Sequence, residues 1–343
     1  MLALVRYGNG PKELEVRDIP EPEINDDNQV KVKIKFTGIC GTDIGVYSGK
    51  IHLEGNRAPF VWGHELTGEV AAIGSKVTRF KVGDKVTGCA SIYCGECYYC
   101  RHGNQNVCLN LFNRNGAYTS YAVMEERHLF KLPDQVSFEE GALAEMLACV
   151  VHGMVEQASL KPNDTVAVIG PGPLGLMAAS VAKLFGCRVL IVGTKGDAER
   201  LEVAKSMGFS EGLFVEENVT EQIKKMTDGL GVDVVAHCAG SEPAVNLGLD
   251  IIKKKGTYVE LSLFGKPIQV NWERIMKKDL SVYGAVGHNL KSFETTCSFL
   301  ARPDFNLKPI ITGTFSVKDW QTAFDRIVER KEIKALIYPV NDE

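Results

Sequence analysis

The stretch Val166-Ala167-Val168-Ile169-Gly170-Pro171-Gly172-Pro173-Leu174-Gly175 decides the fold class of this 343-residue chain. Its first four residues are apolar and mostly β-branched, which predicts a buried strand, and a helical pattern runs from Leu174 to Phe185. The glycines have the spacing G-x-G-x-x-G, which is a weak signal alone and a strong one between a strand and a helix. The stretch therefore predicts a strand, a tight turn and a helix that bind a nucleotide.

The residues of the turn have separate expected roles at such a site. Gly170 allows the tight turn, Gly172 lets a pyrophosphate approach the backbone, and Gly175 lets the helix pack closely on the strand. The start of the helix, at Pro173 and Leu174, would present backbone amides to phosphate oxygens. A plain strand-to-helix turn without a ligand is the alternative, and the sequence context argues against it.

Alternating strands and helices extend outward from this stretch. After residue 150, short apolar runs alternate with helical patterns, which predicts a parallel sheet with right-handed crossovers. The first 150 residues instead have the short strands and turns of a β domain, as in the period-two alternation of residues 31–36. The closing residues 335–339 form a last predicted strand, which we expect to return to this first domain.

The end of the second predicted strand indicates which dinucleotide would bind. An acidic residue is expected there when the site binds the ribose 2′-hydroxyl, but this chain has Gly193. Thr194, Lys195 and Arg200 could instead hold a 2′-phosphate through a hydroxyl bond and charge-assisted bonds. The pattern favours NADP, while Asp197 could still reach the ribose and keeps NAD open.

The composition, with 45% hydrophobic and 24% charged residues, is that of an ordinary globular protein. The net charge of −4 gives no basic surface, so we expect neither nucleic acid nor a membrane as a partner. The uncharged stretch 165–182 approaches the length of a membrane span, but its glycines and prolines favour the strand, turn and helix. No signal-peptide pattern opens the sequence, and its ten cysteines then indicate a reducing cytoplasm.

Four cysteines, Cys94, Cys97, Cys100 and Cys108, have the spacing C-x2-C-x2-C-x7-C. Thiolates this close in sequence can converge on one tetrahedral Zn²⁺, and four of them leave no open position for a substrate. The residues between them favour a lobe of turns rather than a helix or strand. The cluster therefore predicts a structural zinc site, with buried metal-free thiols or disulfides as the alternatives.

Two further motifs lie upstream, Gly38-Ile39-Cys40-Gly41-Thr42-Asp43 and Gly63-His64-Glu65. Alone, Cys40 would be a small buried hydrophobe and His64 a structural histidine. Together with the four cysteines and the nucleotide motif, these motifs resemble the zinc-dependent medium-chain dehydrogenases over the whole chain. The residues Leu143-Ala144-Glu145-Met146-Leu147 resemble the polyol dehydrogenase branch, where a glutamate replaces a cysteine ligand.

The resemblance implies an α/β fold, in which a GroES-like β domain from both ends of the chain encloses a doubly wound Rossmann domain. We expect the boundaries 1–151, 152–287 and 288–343, with the zinc lobe at about 89–112. The resemblance also implies a homo-oligomer, either a dimer or a tetramer.

The same resemblance implies the ligands of a catalytic zinc. Cys40 and His64 match the first two ligands, and Glu145 matches the remaining one. Glu65 follows His64 in the family's G-H-E motif and is a further candidate, so the choice between Glu65 and Glu145 stays open.

The other roles implied by the resemblance concern the proton, the histidine and the cofactor. Thr42 matches the hydroxyl that accepts the substrate proton, and Asp43 matches the carboxylate that orients His64. Zinc with an open position would lower the pKa of a substrate hydroxyl, and a hydride would pass to the nicotinamide. Leu261 and Leu263, at the end of a predicted Rossmann strand, would contact the cofactor.

This chain departs from the pattern of the family that it resembles at two places. Gly45 stands where many relatives have a proton-carrying histidine, for which His52 or a route through cofactor hydroxyls and water could substitute. The residues Gly284-Ala285-Val286-Gly287-His288 replace an Arg-Tyr pair that holds sorbitol in sorbitol dehydrogenases. This second departure puts sorbitol itself in doubt, although His288 could contact a substrate. The resemblance therefore predicts a polyol or sugar alcohol as substrate without identifying which one.

Three alternatives remain open at this point. A threonine-type or simple alcohol dehydrogenase shares the motif that begins at Cys40. A phosphorylated sugar alcohol could meet Lys50 and Arg57. A zinc-containing binding module without catalysis is the non-enzyme alternative.

Overall fold

The structure of this protein is a computed structural model that describes residues 1–51, 58–89, 91–113 and 116–340, with only the backbone of residues 89, 91, 112 and 113. The chain divides into two compact units. The first comprises Met1–Met146, Asn289–Asp304 and the chain from Ile311 onward. The second comprises Leu147–His288 and Phe305–Ile310.

Strands are numbered in chain order. They are β1 (Leu2–Arg6), β2 (Leu14–Asp18), β3 (Gln29–Gly38), β4 (Phe60–Val61), β5 (Glu65–Ile73), β6 (Lys85–Cys89), β7 (Ser91–Ile92), β8 (Phe112–Asn113), β9 (Tyr121–Glu125), β10 (Leu129–Lys131), β11 (Thr165–Ile169), β12 (Arg188–Gly193), β13 (Gly212–Phe214), β14 (Val232–His237), β15 (Ile252–Glu260), β16 (Ser281–Gly284), β17 (Ile311–Ser316) and β18 (Lys334–Tyr338).

The α-helices are numbered in the same way. They are α1 (Gly41–Tyr47), α2 (Tyr98–Arg101), α3 (Phe138–Gly141), α4 (Ala144–Val151), α5 (Pro173–Leu184), α6 (Ala198–Ser206), α7 (Val219–Met226), α8 (Glu242–Ile251), α9 (Trp272–Lys278), α10 (Leu290–Leu300) and α11 (Trp320–Val328).

Mostly antiparallel strands build the first unit. In the described residues, its larger sheet has the order β10-β6-β5-β3-β18-β17, and β9 also pairs with β3. The last strand pairs antiparallel with β3, with Leu336 opposite Gly38 and Ile337 opposite Thr37. The predicted return of the closing strand is therefore confirmed. Against this sheet lies an apolar core that includes Trp62 and Phe324.

A parallel sheet forms the centre of the second unit, with the described order β13-β12-β11-β14-β15-β16. The strand order reverses between β11 and β14, because β12 and β13 lie to one side and β15 and β16 to the other. In sheets of this kind, ligands bind at the carboxyl ends of the strands beside that reversal. The glycine-rich turn after β11 lies at this position.

The uncharged stretch 165–182 forms β11, the turn and most of α5, as its glycines and prolines predicted. Pro173 is at the first position of α5, where its missing N–H costs no hydrogen bond and its fixed φ suits a helix. Within the described part of the chain, each helix is too short or too polar to cross a membrane.

The cysteine lobe contains more regular structure than the sequence predicted. The expectation of turns alone was wrong, because Tyr98–Arg101 form one turn of α-helix and Gln105–Val107 form a turn of 3-10 helix. Cys97 is the N-cap residue of the first of these, and Cys100 follows three residues later. Residues three apart on a helical turn lie on one side, so this local fold directs both thiols to the same point. Strands β7 and β8 pair at the base of the lobe.

A buried histidine lies against the start of this lobe. The ring of His128 meets the ring of Tyr93 edge-on, with 4.8 Å between the centroids. Burial lowers the pKa of His128 to about 4, and the charge of Arg127 adds to the effect. The folded protein therefore holds this imidazole neutral at pH values where an unfolded chain would protonate it.

We expect His128→Gln to make stability less sensitive to acid. The folded pKa of about 4 is below the unfolded value, so this group stabilises the fold above pH 6.5 and loses its contribution as the pH falls towards 4. Urea unfolding from pH 7.5 to pH 5 should change the difference in unfolding free energy by about 2 kcal/mol in favour of the variant. A difference that stays constant over this range would contradict the assignment.

Candidate metal and cofactor sites

The four predicted lobe cysteines converge in the structure. The Sγ atoms of Cys94 and Cys100 are 3.9 Å apart, those of Cys97 and Cys108 are 3.9 Å apart, and those of Cys94 and Cys108 are 3.5 Å apart. Four sulfurs at about 2.3 Å from one zinc ion would be separated by about 3.8 Å. The observed separations therefore fit a tetrahedral zinc that is closed to substrate.

Backbone donors point at these sulfurs. The N–H of Cys97 donates to Cys94 Sγ at 3.4 Å, and the N–H groups of Cys94 and Asn110 donate to Cys108 Sγ at 3.3 Å. The N–H groups of Cys100 and Leu109 lower the pKa of the Cys97 thiol to about 6. Burial raises the pKa of the Cys100 thiol to about 12. The Cys97 thiol can therefore form a thiolate near neutral pH, whereas the Cys100 thiol stays protonated there unless a cation lowers its pKa.

A short helix positions Cys40, Thr42 and Asp43 at the second site. Cys40 is the N-cap residue of α1, and its Sγ accepts from the N–H of Thr42 at 3.5 Å. Asp43 Oδ2 accepts in return from the N–H of Cys40 at 2.9 Å, which completes a capping box. The N-cap position of α1, which is usually serine, threonine, aspartate or asparagine, is therefore occupied by a cysteine that could also bind a metal ion.

Asp43 is fully buried and contacts two further polar groups. Its Oδ2 accepts from the hydroxyl of Tyr118 at 2.7 Å, and its Oδ1 lies 3.4 Å from His64 Nδ1. Burial alone would lower the pKa of His64, but the charges of Asp43 and Cys40 raise it well above the ordinary value. Because Asp43 faces Nδ1, the other ring nitrogen, Nε2, is the one left for a metal ion.

Glu65 lies at the start of β5, opposite Gly38. One of its oxygens, Oε2, pairs with Lys334 Nζ in an ion pair whose two side chains are buried. The other oxygen, Oε1, is buried and has no hydrogen-bond partner among the described residues. A Cβ at Gly38 would collide with Glu65 Oε2, so the pair depends on a glycine at this point of β3.

A cation would fit the group formed by Cys40, His64 and Glu65. The ligand atoms of these three side chains lie within 4.8 Å of one another. Glu145, on α4, is half-buried, and its negative charge contributes to the pKa of Glu65. Burial raises the pKa of Glu65, Lys334 opposes that rise, and Glu145 adds to it. A thiol, an imidazole and carboxylates are donors that catalytic zinc sites use.

The positions predicted for proton relay or substrate contact are Gly45, Lys50, His52, Arg57 and His288. A Cβ at Gly45 would meet the side chain of Ile51, so the structure has little room for a larger residue at position 45. His52 and Arg57 lie outside the described residues. Lys50 is exposed in the first unit, and His288 is the last residue of the first segment of the second unit.

The glycine-rich turn has the geometry of a phosphate site. Gly170 has φ +103°, which other residues rarely adopt, and a Cβ there would lie 3.0 Å from Ala239. A Cβ at Gly175 would collide with the carbonyl oxygen of Gly170, so glycine allows the close packing of α5 on β11. At Gly172 the only described atom near such a Cβ is Arg200 Nη1, at 3.8 Å. The space above Gly172 is therefore open to a ligand, with a guanidinium beside it.

The residues after β12 form a capped turn. The N–H of Thr194 donates to Asp197 Oδ2 at 2.9 Å, and its hydroxyl donates to the same atom at 2.7 Å. Arg200 Nη1 is 3.9 Å from Asp197 Oδ1. The backbone N–H of Lys195 donates to the Glu216 carboxylate at 3.1 Å. Asp197 is buried beneath the turn, and Thr194 and Lys195 are exposed above it.

Sequence reasoning missed Tyr118 and Lys334. Tyr118 lies outside any motif, and its hydroxyl reaches Asp43 across 75 positions of sequence. Lys334 could have been noticed as a lysine that directly precedes the apolar run Ala335-Leu336-Ile337 of the closing strand. Nothing local indicates its partner, which is 269 residues away.

Comparison with known proteins gives consistent matches over the chain. Residues 26–134 match the model of the alcohol dehydrogenase GroES-like domain, and residues 173–302 match that of the zinc-binding dehydrogenases. The chain is 37% identical to a sorbitol dehydrogenase of Halalkalibacterium halodurans, over 99% of the chain and 100% of that protein. It is 34% identical to a D-arabitol-phosphate dehydrogenase of Enterococcus avium, over 98% and 97%.

A solved structure from Sinorhizobium meliloti 1021, assigned as a zinc-binding dehydrogenase and bound to NADP, has a similar fold. It superposes with a TM-score of 0.89 at 27% identity, over 98% of this chain and 99% of that one.

We expect Lys334→Met to destabilise the protein strongly, because it leaves the Glu65 carboxylate buried without its partner. Removing one member of a buried ion pair costs about 3–5 kcal/mol. Lys331→Met is the matched control, since Lys331 pairs with Glu329 at the exposed surface, and it should change the unfolding free energy by no more than about 0.5 kcal/mol. Urea unfolding of both variants measures the difference. Equal changes in unfolding free energy for the two variants would show that the buried ion pair stabilises the protein no more than an exposed one.

Proposed function

This chain belongs to the polyol branch of the zinc-dependent medium-chain dehydrogenases, and we propose that Cys40, His64 and Glu145 hold its catalytic zinc, with Glu65 as the neighbouring carboxylate. The family, the α/β fold class and the enzyme class predicted from the sequence are confirmed. The protein is a polyol dehydrogenase that transfers a hydride between NAD(P) and an alcohol or ketone.

The observation that carries the proposal is the convergence of Cys40, His64 and Glu65 within 4.8 Å, with Glu145 electrostatically coupled to Glu65. Lys334 engages Oε2 of Glu65, so only Oε1 is available to the metal. Because Lys334 already balances the charge of Glu65, and because Glu145 matches the glutamate ligand of the polyol branch, we assign the third protein ligand to Glu145, with Glu65 Oε1 as the alternative.

The chemistry that a bound zinc ion supplies is polarisation of the substrate oxygen, which lowers the pKa of a hydroxyl there. Residues around the candidate ligands orient His64 and supply a proton acceptor for this reaction. Asp43 holds His64 at Nδ1 and is itself held by Tyr118 and the Cys40 amide, so the ligand ring keeps one orientation. Thr42, in the first turn of α1 beside Cys40, is proposed to accept the substrate proton.

A second, structural zinc is proposed for the four lobe cysteines. Their sulfur separations of 3.5–3.9 Å and their backbone donors support it. We also propose that the protein works in the cytoplasm as a dimer or tetramer, as in the sequence prediction, with small molecules rather than nucleic acid or membranes as partners.

For the cofactor we propose a preference for NADP. Gly193 leaves no acidic side chain at the position that selects NAD, and a Cβ there would lie 3.1 Å from Pro171 and from Asp197. The Asp197 carboxylate caps its own turn and is therefore engaged away from a ribose. The hydroxyl of Thr194 and the guanidinium of Arg200 both lie at Asp197, and with the exposed Lys195 they form the group that we propose to meet a 2′-phosphate. The proposed pyrophosphate residues are Gly170, Gly172, Pro173, Leu174 and Gly175, with Leu261 and Leu263 farther along the sheet edge.

The two proposed zinc sites should respond differently to mutation. Glu145→Ala should lower polyol turnover about a thousandfold or more, because about 4 kcal/mol of transition-state stabilisation depends on the metal. Cys100→Ser should lower the zinc content by one ion per chain and lower Tm, with activity lost only as the fold is lost. The measurements are reduced-nicotinamide absorbance with a panel of polyols, metal analysis and thermal unfolding.

Two results would contradict this division. Unchanged activity and zinc content in Glu145→Ala would remove Glu145 from the site. A Cys100→Ser protein with unchanged Tm and selectively lost hydride transfer would show that the cysteine lobe acts in catalysis instead.

The NADP preference should depend on Lys195. We expect Lys195→Ala to lower the ratio of kcat/KM for NADP to that for NAD about tenfold, because one charge-assisted bond to the phosphate is lost. Lys205→Ala is the control, since Lys205 is exposed on α6 and pairs weakly with Glu202 at 3.8 Å. A wild-type protein that prefers NAD tenfold or more would refute the proposed preference.

A further inference from the structure

A polar cluster around the buried side chain of His237 lies in unit two, at the carboxyl ends of β14 and β15. His237 and Glu260 are the last residues of these strands and are directly opposite each other. The imidazole is 0% exposed, and its Nδ1 lies 2.8 Å from both carboxylate oxygens of Glu260. Phe264 stacks on the ring, with 5.7 Å between centroids and 15° between planes. The ring therefore has one orientation, with Nδ1–H donating to the carboxylate.

Ser262 connects this pair to the two loops that follow the strands. Its N–H and its hydroxyl both donate to Glu260 Oε1, at 2.9 Å and 2.6 Å. The hydroxyl oxygen accepts in turn from the N–H of Gly240, at 3.1 Å. The bonds form a closed path from the end of β14 through Glu260 and Ser262 back to the loop after β14. Both loops are held by one carboxylate.

The loop after β14 also touches the glycine-rich turn. A Cβ at Gly170 would come 3.0 Å from Cα of Ala239, and Ala239 directly precedes the tethered Gly240. Gly240 has φ +57°, and a Cβ there would lie 2.7 Å from the carbonyl oxygen of Leu263. The turn, the loop after β14 and the loop after β15 therefore lie in direct contact along one sheet edge.

The side chain of Leu263 at this sheet edge is unusually exposed for an apolar residue. Leu263 is 67% exposed although it is large and apolar, and the cluster fixes the backbone on which it stands. An apolar side chain held out by a rigid loop is suited to contact a ligand at the carboxyl ends of the strands. The imidazole is fully buried and the Glu260 side chain is 23% exposed, so the pair carries a desolvation cost that apolar residues would avoid.

We propose that His237, Glu260 and Ser262 are positioning residues for the dinucleotide. They hold the loop 261–264, so that Leu263 and the adjacent backbone form one wall of the dinucleotide site. The inference rests on the proposed placement of the dinucleotide at this sheet edge. The three residues touch one another and the loops rather than the reacting atoms, so they act on cofactor affinity before they act on the chemical step.

The test measures the Kd of the reduced dinucleotide by fluorescence titration of the zinc-loaded protein. We expect Glu260→Gln to raise Kd about tenfold and Ser262→Ala about fivefold, because each breaks the path that tethers the loops. Ser262→Thr, which keeps the hydroxyl, should restore Kd to within about twofold. In steady state, the loss should fall on KM for the dinucleotide more than on kcat. If Glu260→Gln does not fold, Ser262→Ala and its threonine rescue decide the question.

Two further variants distinguish a loss of loop positioning from a general loss of stability and from a wrong placement of the dinucleotide. Asp233→Asn removes a carboxylate charge at the other end of β14. Asp233 pairs there with Lys253 and accepts from the N–H of Thr165 at 2.8 Å. This variant should lower Tm and leave the Kd of the dinucleotide unchanged. Gly172→Asp adds a carboxylate where the fold has room, and it should abolish binding. An unchanged Kd in both cluster variants, with binding lost in Gly172→Asp, would overturn the positioning role alone. An unchanged Kd in Gly172→Asp would overturn the proposed placement and this inference with it.

Discussion

The buried ion pair of Lys334 and Glu65 is the interaction on which the first unit depends. It joins two strands whose residues are 269 positions apart, and Lys334 also donates to the carbonyl oxygen of Ile39 at 2.9 Å. Ile39 directly precedes Cys40, so one ammonium group reaches both the carboxylate and the backbone beside the candidate metal ligands. The closing strand therefore does more than complete a sheet, because it sets the position of the side chains at the start of β5 and α1.

Features whose signals are local were predictable from the sequence. The cysteine lobe has its four thiols within 15 residues, and the turn from Gly170 to Gly175 has its strand and helix on either side. Cys40 and Asp43 are likewise three residues apart, and a capping box joins them. In each case the spacing along the chain already determines which side chains meet. The exception is the helical turn at Tyr98, because a four-residue helix has too short a pattern to be distinguished from a turn.

Features whose partners are distant in sequence were not predictable. Tyr118 reaches Asp43 only because β3, β5 and the segment before β9 come together in the first unit. His237 and Glu260 are adjacent only in the register of two parallel strands, and neither stands in a motif. A single sequence gives the strands but not their register, so a polar residue at a strand end looks the same whether it faces solvent or a buried partner.

Charge balance favours a bound cation at each of the two candidate metal sites. Around His64 lie the thiol of Cys40 and the carboxylates of Asp43 and Glu65, and the charge of Glu145 acts on Glu65, against one buried lysine. Buried negative charge is costly unless protons or cations balance it, and the raised pKa values of His64 and Glu65 are the proton form of that balance. At the lobe, burial raises the pKa of Cys100 for the same reason. A divalent cation bound at each site would relieve this cost. Of the two candidate sites, only the one at His64 has donors of mixed kind, which favours a catalytic zinc there and a closed, structural zinc at the cysteines.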